Sequence, residues 1–165
     1  VLGTNGSVIH VFKHGIKTKS KIGITDKKMT RFFLTIKDAI KLLFKATFES
    51  HGGEIFVMKM PTCKIIDLAQ VLIDQYSKDQ EVVIEELGIR PGEKLHELLL
   101  TEFESLNTIV YDNEYFVILP TIPIEGLTEY YEDFPKVDLD TYSSSDNIIP
   151  YNQIKTMLKD GGFLE

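Results

Sequence analysis

Residues 35–58 read TIKDAIKLLFKATFESHGGEIFVM, and the reading of this stretch decides the fold class. Thr35 can cap a helix, and Asp38, three residues on, sits at the positive end of its dipole. Ile36, Ile40, Leu43 and Thr47 then follow a 3.6-residue period, with Phe44 and Phe48 widening the apolar stripe. His51-Gly52-Gly53 stops the helix, and Glu54-Ile55-Phe56-Val57-Met58 reads as a buried strand. Helix, glycine stop and short apolar strand in immediate succession predict a mixed α/β chain.

The same alternation extends outward. Upstream, Val1 to Ser7 reads as a loop leading into a short helix from Val8 to about Gly15, and Lys21 to Thr25 can form a strand. Downstream, Pro61-Thr62 starts a helix whose buried side carries Ile65, Leu68, Ala69, Leu72 and Ile73. Glu81 to Glu86 reads as a strand, followed by the turn Arg90-Pro91-Gly92-Glu93 and a helix through Leu100 with His96 on its partly exposed side. Thr108–Tyr111 and Tyr115–Leu119 form a hairpin around Asp112-Asn113-Glu114. Residues 120–148 are rich in Pro, Asp and Ser without periodicity and read as an extended, partly ordered excursion. Pro150 fits the first turn of a last helix, Tyr151 to Asp160, which Gly161-Gly162 ends. The expected organisation is a compact α/β domain over residues 1–120, with an extended arm and C-terminal helix over 121–165.

At 165 residues the chain can bury one real core. The lone Cys63 permits no intrachain disulfide and fits a reducing cytoplasm. No apolar run approaches the roughly 18 residues that cross a bilayer, so no membrane partner is expected. The net charge of −7 hides an asymmetry, because residues 1–50 carry ten Lys/Arg against three Asp/Glu. That basic first third can attract an anion, though a solvated lysine-rich face accounts for most of it. Nucleic acid is not an expected partner, since the overall sign is wrong and basic residues do not interleave with aromatics.

Arg90 and Glu93 are the sharpest candidate pair. A guanidinium is a permanently charged planar fork suited to phosphate oxygens, and a nearby carboxylate can accept from two ribose hydroxyls. The competing reading makes Arg90 a surface residue and Glu93 a carboxylate at the start of a helix. Arg31, set in Met29-Thr30-Arg31-Phe32-Phe33, needs a counter-ion, because an unpaired buried charge is costly. Asp38, another protein carboxylate or a ligand phosphate can supply it. Gly3 and Gly6 bracket a loop that could lie flat against a base, but there is no G-x-G-x-x-G. No histidine is spaced with Cys63 or a carboxylate as a metal-ligand set. Tyr151-Asn152-Gln153-Ile154-Lys155 has the Y-x-x-x-K spacing of short-chain dehydrogenases, but no dinucleotide site precedes it. There is no nucleophile elbow, phosphate-binding P-loop or credible triad.

Taken in order, these motifs match more than each does alone. Val1-Leu2-Gly3 through Gly6-Ser7-Val8-Ile9 comes first, then Ile24-Thr25 and Met29-Thr30-Arg31-Phe32. Gly53-Glu54-Ile55-Phe56-Val57, Lys59-Met60-Pro61, Ile66-Asp67-Leu68-Ala69 and the run Ile89 to Leu98 follow. The chain resembles the C-terminal half of the extended short-chain dehydrogenase/reductases of bacterial polysaccharide biosynthesis. Its nearest look is to the inverting UDP-N-acetylglucosamine 4,6-dehydratases (5-epimerising). The resemblance implies a small mixed α/β substrate-binding domain without its Rossmann half, and a UDP-sugar as ligand. It also implies that Arg31 and Arg90 hold the diphosphate, Glu93 the ribose, and the Ser7-Val8 segment the uracil.

In the full-length family, NADP or NAD and a catalytic Tyr/Lys pair reside in the other half and carry lyase or epimerase chemistry. This chain alone is therefore expected to bind no cofactor and not to turn over. A UDP-sugar 4-epimerase of the same family is the alternative, and a non-catalytic binding or oligomerisation module is the alternative of another class. A homo-oligomer, or packing against a Rossmann half, is expected. The chain departs from the pattern at Asn5, where a charged residue is usual, and at His10, where a proline is usual.

Overall fold

The computed structural model describes residues 1–4, 6–78 and 80–164. In chain order the elements are α1 (Val8–Lys19), β1 (Lys21–Ile24), β2 (Thr30–Phe32), α2 (Ile36–Glu49) and β3 (Ile55–Met58). Next come β4 (Thr62–Lys64), α3 (Ile65–Tyr76), β5 (Val83–Glu86), β6 (Leu98–Leu100), α4 (Glu102–Ser105), β7 (Thr108–Val110) and β8 (Tyr115–Ile118). The chain ends through α5 (Leu127–Tyr131), β9 (Tyr142–Ser143) and α6 (Tyr151–Asp160). This is a mixed α/β protein with short sheets. It divides into two compact units, one of residues 1–36, 61–97 and 144–165, the other of residues 37–60 and 98–143. The boundary expected at residue 120 falls within the second unit, and α6 belongs to the first.

The first unit is built on three helices and two strand pairs. α1 buries Ile9, Phe12 and Ile16, α3 buries Leu68, Ala69 and Leu72, and α6 buries Ile154 and Leu158, each set at helical spacing. Ile22 and Ile24 alternate inward from β1 and join the same core. Burying each such Ile or Leu contributes about 1.5–3 kcal/mol relative to leaving it in water. β1 pairs in parallel with β5, and β2 pairs antiparallel with β4, placing Arg31 opposite Cys63. α1 runs beyond its expected end at Gly15. That glycine serves close approach instead, since a Cβ there would lie 2.5 Å from the Lys21 carbonyl. The helix closes at Ser20, in left-handed conformation.

Two expected helices are corrected here. Thr62–Lys64 is strand β4, so the helix begins only at Ile65. Residues 94–97 do not form a helix at all, and Leu98–Leu100 is strand β6. Tertiary partners take the backbone groups that a helix would use for itself. The Leu95 carbonyl accepts from the Thr30 N–H at 3.1 Å, and the Glu97 carbonyl accepts from Ser144 N–H at 2.8 Å. His96 is consequently not a helix-surface residue, and its Nδ1 lies 2.7 Å from the Thr30 hydroxyl oxygen.

The second unit centres on the antiparallel sheet β3-β8-β7, with the hairpin closed at Asp112, whose Oδ1 accepts from the N–H groups of Glu114 and Tyr115. Phe56, Ile109 and Val117 from the sheet pack with Leu127 and Tyr131 of α5. The segment expected as a partly ordered excursion is thereby anchored, by α5 and by the pairing of β9 with β6. α2 differs from every other long helix, since it buries none of its residues. Phe48 is 79% exposed and Leu43 64%, with Ile36, Ile40 and Phe44 also open to solvent. Among the described residues no helix is long and apolar enough to cross a membrane.

Candidate functional site

A cavity of about 430 Å³ opens in the first unit. The loop before α1, the end of β1, the β2 strand and the turn at Glu93 form its walls. Four of the five expected site residues line it: Ser7, Val8, Arg31 and Glu93. Arg90 is exposed and lies outside that lining.

The loop wall is shaped by local backbone chemistry. Ser7 N–H donates to the Thr4 carbonyl at 2.9 Å, and Gly3 and Gly6 take positive φ angles of 76° and 80° that other residues resist. A Cβ on Gly3 would collide with the Phe163 ring, so the loop lies pressed against that side chain. His10 Nε2 lies 3.2 Å from the Gly3 carbonyl oxygen, a link that a proline could not make. Ser7 begins α1 without spending its hydroxyl on a cap. The helix therefore presents its positive dipole end to the cavity beside Ser7 and Val8. Asn5 lies outside the described residues.

Glu93 is fixed by the turn that carries it. Its N–H donates to the Arg90 carbonyl at 3.0 Å, and Gly92 has φ +81°, as a turn with Pro at its second position and Gly at its third requires. The Glu93 carboxylate is held on both oxygens: Thr25 Oγ1 donates to Oε1 at 3.0 Å and Arg90 N–H to Oε2 at 3.3 Å. The competing reading of Glu93 as a helix-start carboxylate fails, because no helix follows. Its role in the cavity wall remains.

Arg31 finds its counter-ion within the protein. Its Nη1 donates to the carbonyls of Thr30 and Leu95 at 2.7 and 3.1 Å, its Nη2 to Lys94 at 2.8 Å, and Nε lies 3.6 Å from the Glu97 carboxylate. The guanidinium thus straps residues 94–97 against β2, and Arg31 also lines the cavity. Behind it, Thr30 Oγ1 lies 2.8 Å from Ser144 Oγ, which accepts from Glu97 N–H at 2.9 Å. Thr25, Glu97 and Ser144 were not singled out by sequence. Thr25 reads as the end of a strand and as part of the Ile24-Thr25 motif with no role attached, and Ser144 stands 114 residues from its partner Thr30.

No glycine fingerprint joins a strand to a helix in this sequence. Tyr151 hydroxyl donates to Asp74, and that bond, with burial, pushes its pKa up to about 12. An activated tyrosine would need the opposite shift. Among the described residues no group of His, Cys, Asp and Glu could hold a metal ion.

The profile of a family of polysaccharide biosynthesis proteins matches residues 1–119. The chain belongs to this family. Within it, the chain answers to the C-terminal part of an extended short-chain dehydrogenase/reductase. It is 35% identical, over 99% of its length and 48% of the relative, to a Methanocaldococcus jannaschii protein named as the uncharacterized membrane protein MJ1061. It is 40% identical, over 74% of its length and 35% of the relative, to a Campylobacter jejuni UDP-N-acetylglucosamine 4,6-dehydratase (inverting). Relatives named UDP-glucose 4-epimerase also match. The X-ray structure of Pen from Bacillus thuringiensis superposes with a TM-score of 0.86 at 34% identity, over 99% of this chain and 48% of that one. The chain spans about half the length, or less, of the relatives it matches.

Proposed function

We propose that this chain is the UDP-sugar-binding portion of a nucleotide-sugar 4,6-dehydratase of the UDP-N-acetylglucosamine class, acting in bacterial surface polysaccharide biosynthesis. The observation that carries the reading is the doubly anchored Glu93 carboxylate on a cavity wall shared with Arg31, Ser7 and Val8. In this reading Glu93 accepts from the ribose hydroxyls and the Ser7-Val8 segment lies against the uracil. Arg31 and Arg90 hold the diphosphate, Arg90 reaching in from the solvent side. Positioning of this kind is the share of catalysis that a binding portion contributes. NADP or NAD, held by the other half of the full-length enzyme, supplies the hydride chemistry there. The chain alone then binds ligand without turnover.

A UDP-sugar 4-epimerase is the second reading, supported by the relatives of that name, because a grip on the nucleotide serves either reaction. The open apolar face of α2 supports a further point: it is the surface that a Rossmann half or a second copy of the chain would cover. Isothermal titration with UDP tests the site. Arg90→Ala should weaken binding about 10- to 100-fold, the worth of a charge-assisted phosphate contact. Unchanged UDP affinity in that variant would remove Arg90 from the site.

A further inference from the structure

We propose that Thr25 is a positioning residue for Glu93, and that through it the site selects ligands carrying an intact ribose 2′,3′-diol. The proposal rests on the reading of Glu93 as the ribose-holding group. A carboxylate has about four lone-pair sites, two on each oxygen. Here the protein occupies one on each, through Thr25 Oγ1 on Oε1 and Arg90 N–H on Oε2. The plane of the carboxylate is thereby set, and each oxygen keeps one acceptor site for a ligand hydroxyl. Two acceptors held side by side in one plane match two adjacent hydroxyls on a sugar ring.

Thr25 is itself well anchored. Gly88 N–H donates to its carbonyl at 3.1 Å, and Leu87 N–H donates to the neighbouring Ile24 carbonyl at 2.8 Å, continuing the β1–β5 ladder. Both Thr25 and Glu93 line the cavity, although 68 residues separate them. Only the Thr25 hydroxyl depends on the side chain, because the Arg90 donor is a backbone group. Removing that hydroxyl frees Oε1 and allows the carboxylate to rotate. The diphosphate contacts would be left in place.

The test compares UDP, 2′-deoxy-UDP and UMP by isothermal titration against the unaltered chain and Thr25→Val, Thr25→Ser and Glu93→Gln, with circular dichroism melting as the check on folding. The unaltered chain should prefer UDP over 2′-deoxy-UDP by roughly tenfold, the worth of one hydrogen bond to a charged group. Thr25→Val should lose most of that preference while keeping the UDP-to-UMP affinity ratio, and Thr25→Ser should restore it. If Thr25→Val fails to fold, Thr25→Ala carries the same comparison. A Thr25 variant that keeps the full ribose preference, while Glu93→Gln loses it, overturns the role of Thr25 and leaves the ribose reading of Glu93 standing. Absence of UDP binding by the unaltered chain overturns both.

Discussion

Arg31 and Glu54 both carry charge into partly or fully closed surroundings, and each is stabilised by several polar groups. For Arg31 the sequence required a counter-ion but left its source open. The answer combines the carbonyl of the adjacent Thr30 with Glu97 and the carbonyls of Lys94 and Leu95, and these last three are not legible locally because residues 94–97 lie more than sixty positions away. By sequence Glu54 is only the start of a strand, yet its side chain is fully buried. Burial pushes its carboxyl up, but donation from the His51 N–H, neighbouring backbone amides and the Tyr131 hydroxyl outweighs it. The pKa ends below the ordinary 4.5. A depressed folded-state pKa means stabilisation that is complete above the unfolded value and lost as pH falls through the folded one. Glu54→Gln should therefore cost about 1–3 kcal/mol at neutral pH, and the cost should shrink as the unaltered protein is acidified below about pH 4.5. Urea denaturation at neutral and acid pH checks this, and a cost independent of pH would contradict it.

At the scale of elements, periodicity predicts the segments whose apolar spacing meets a core and fails where tertiary contacts dominate. The apolar face of α3, though not its start, and the whole of α6 and the β7–β8 hairpin follow their sequence patterns, because their apolar spacing meets a core. The run after Glu93 also looks helical, but Thr30, Arg31 and Ser144 capture its backbone groups and keep it out of a helix. α5 is too short, at five residues, to show a periodic pattern, although Leu127 and Tyr131 are buried. α2 is the reverse case, an amphipathic helix that packs Leu42 and Ala46 on the second unit's core but leaves the Ile36, Ile40, Leu43, Phe44 and Phe48 stripe open. Phe44 and Phe48 stack on each other there with ring centroids 6.0 Å apart, and both remain open to water. Light scattering coupled to size exclusion should show the chain associating as its concentration rises. Phe44→Glu with Phe48→Glu should restore a monomer at a stability cost within about 0.5 kcal/mol, as for exposed positions. Equal masses for both proteins at every concentration would count against the face as an association surface.

Across the whole molecule, the candidate site is confined to one unit. The cavity draws on the loop before α1, on β1, on β2 and on the Glu93 turn, all of which belong to the first unit. Sequence motifs located four of its wall residues, because turn glycines and embedded charges leave local signals. They could not place Arg90 outside the lining or supply Thr25, since both depend on how separated segments meet. The central claim is that this cavity holds the nucleotide of a UDP-sugar. Its most direct test is an amide-resolved NMR titration of the chain with UDP. Shifts should cluster at Gly6–Val8, Gly23–Thr25, Arg31 and Glu93 and saturate with a single affinity. No shifts, or shifts confined to residues 37–60 and 98–143, would contradict the account.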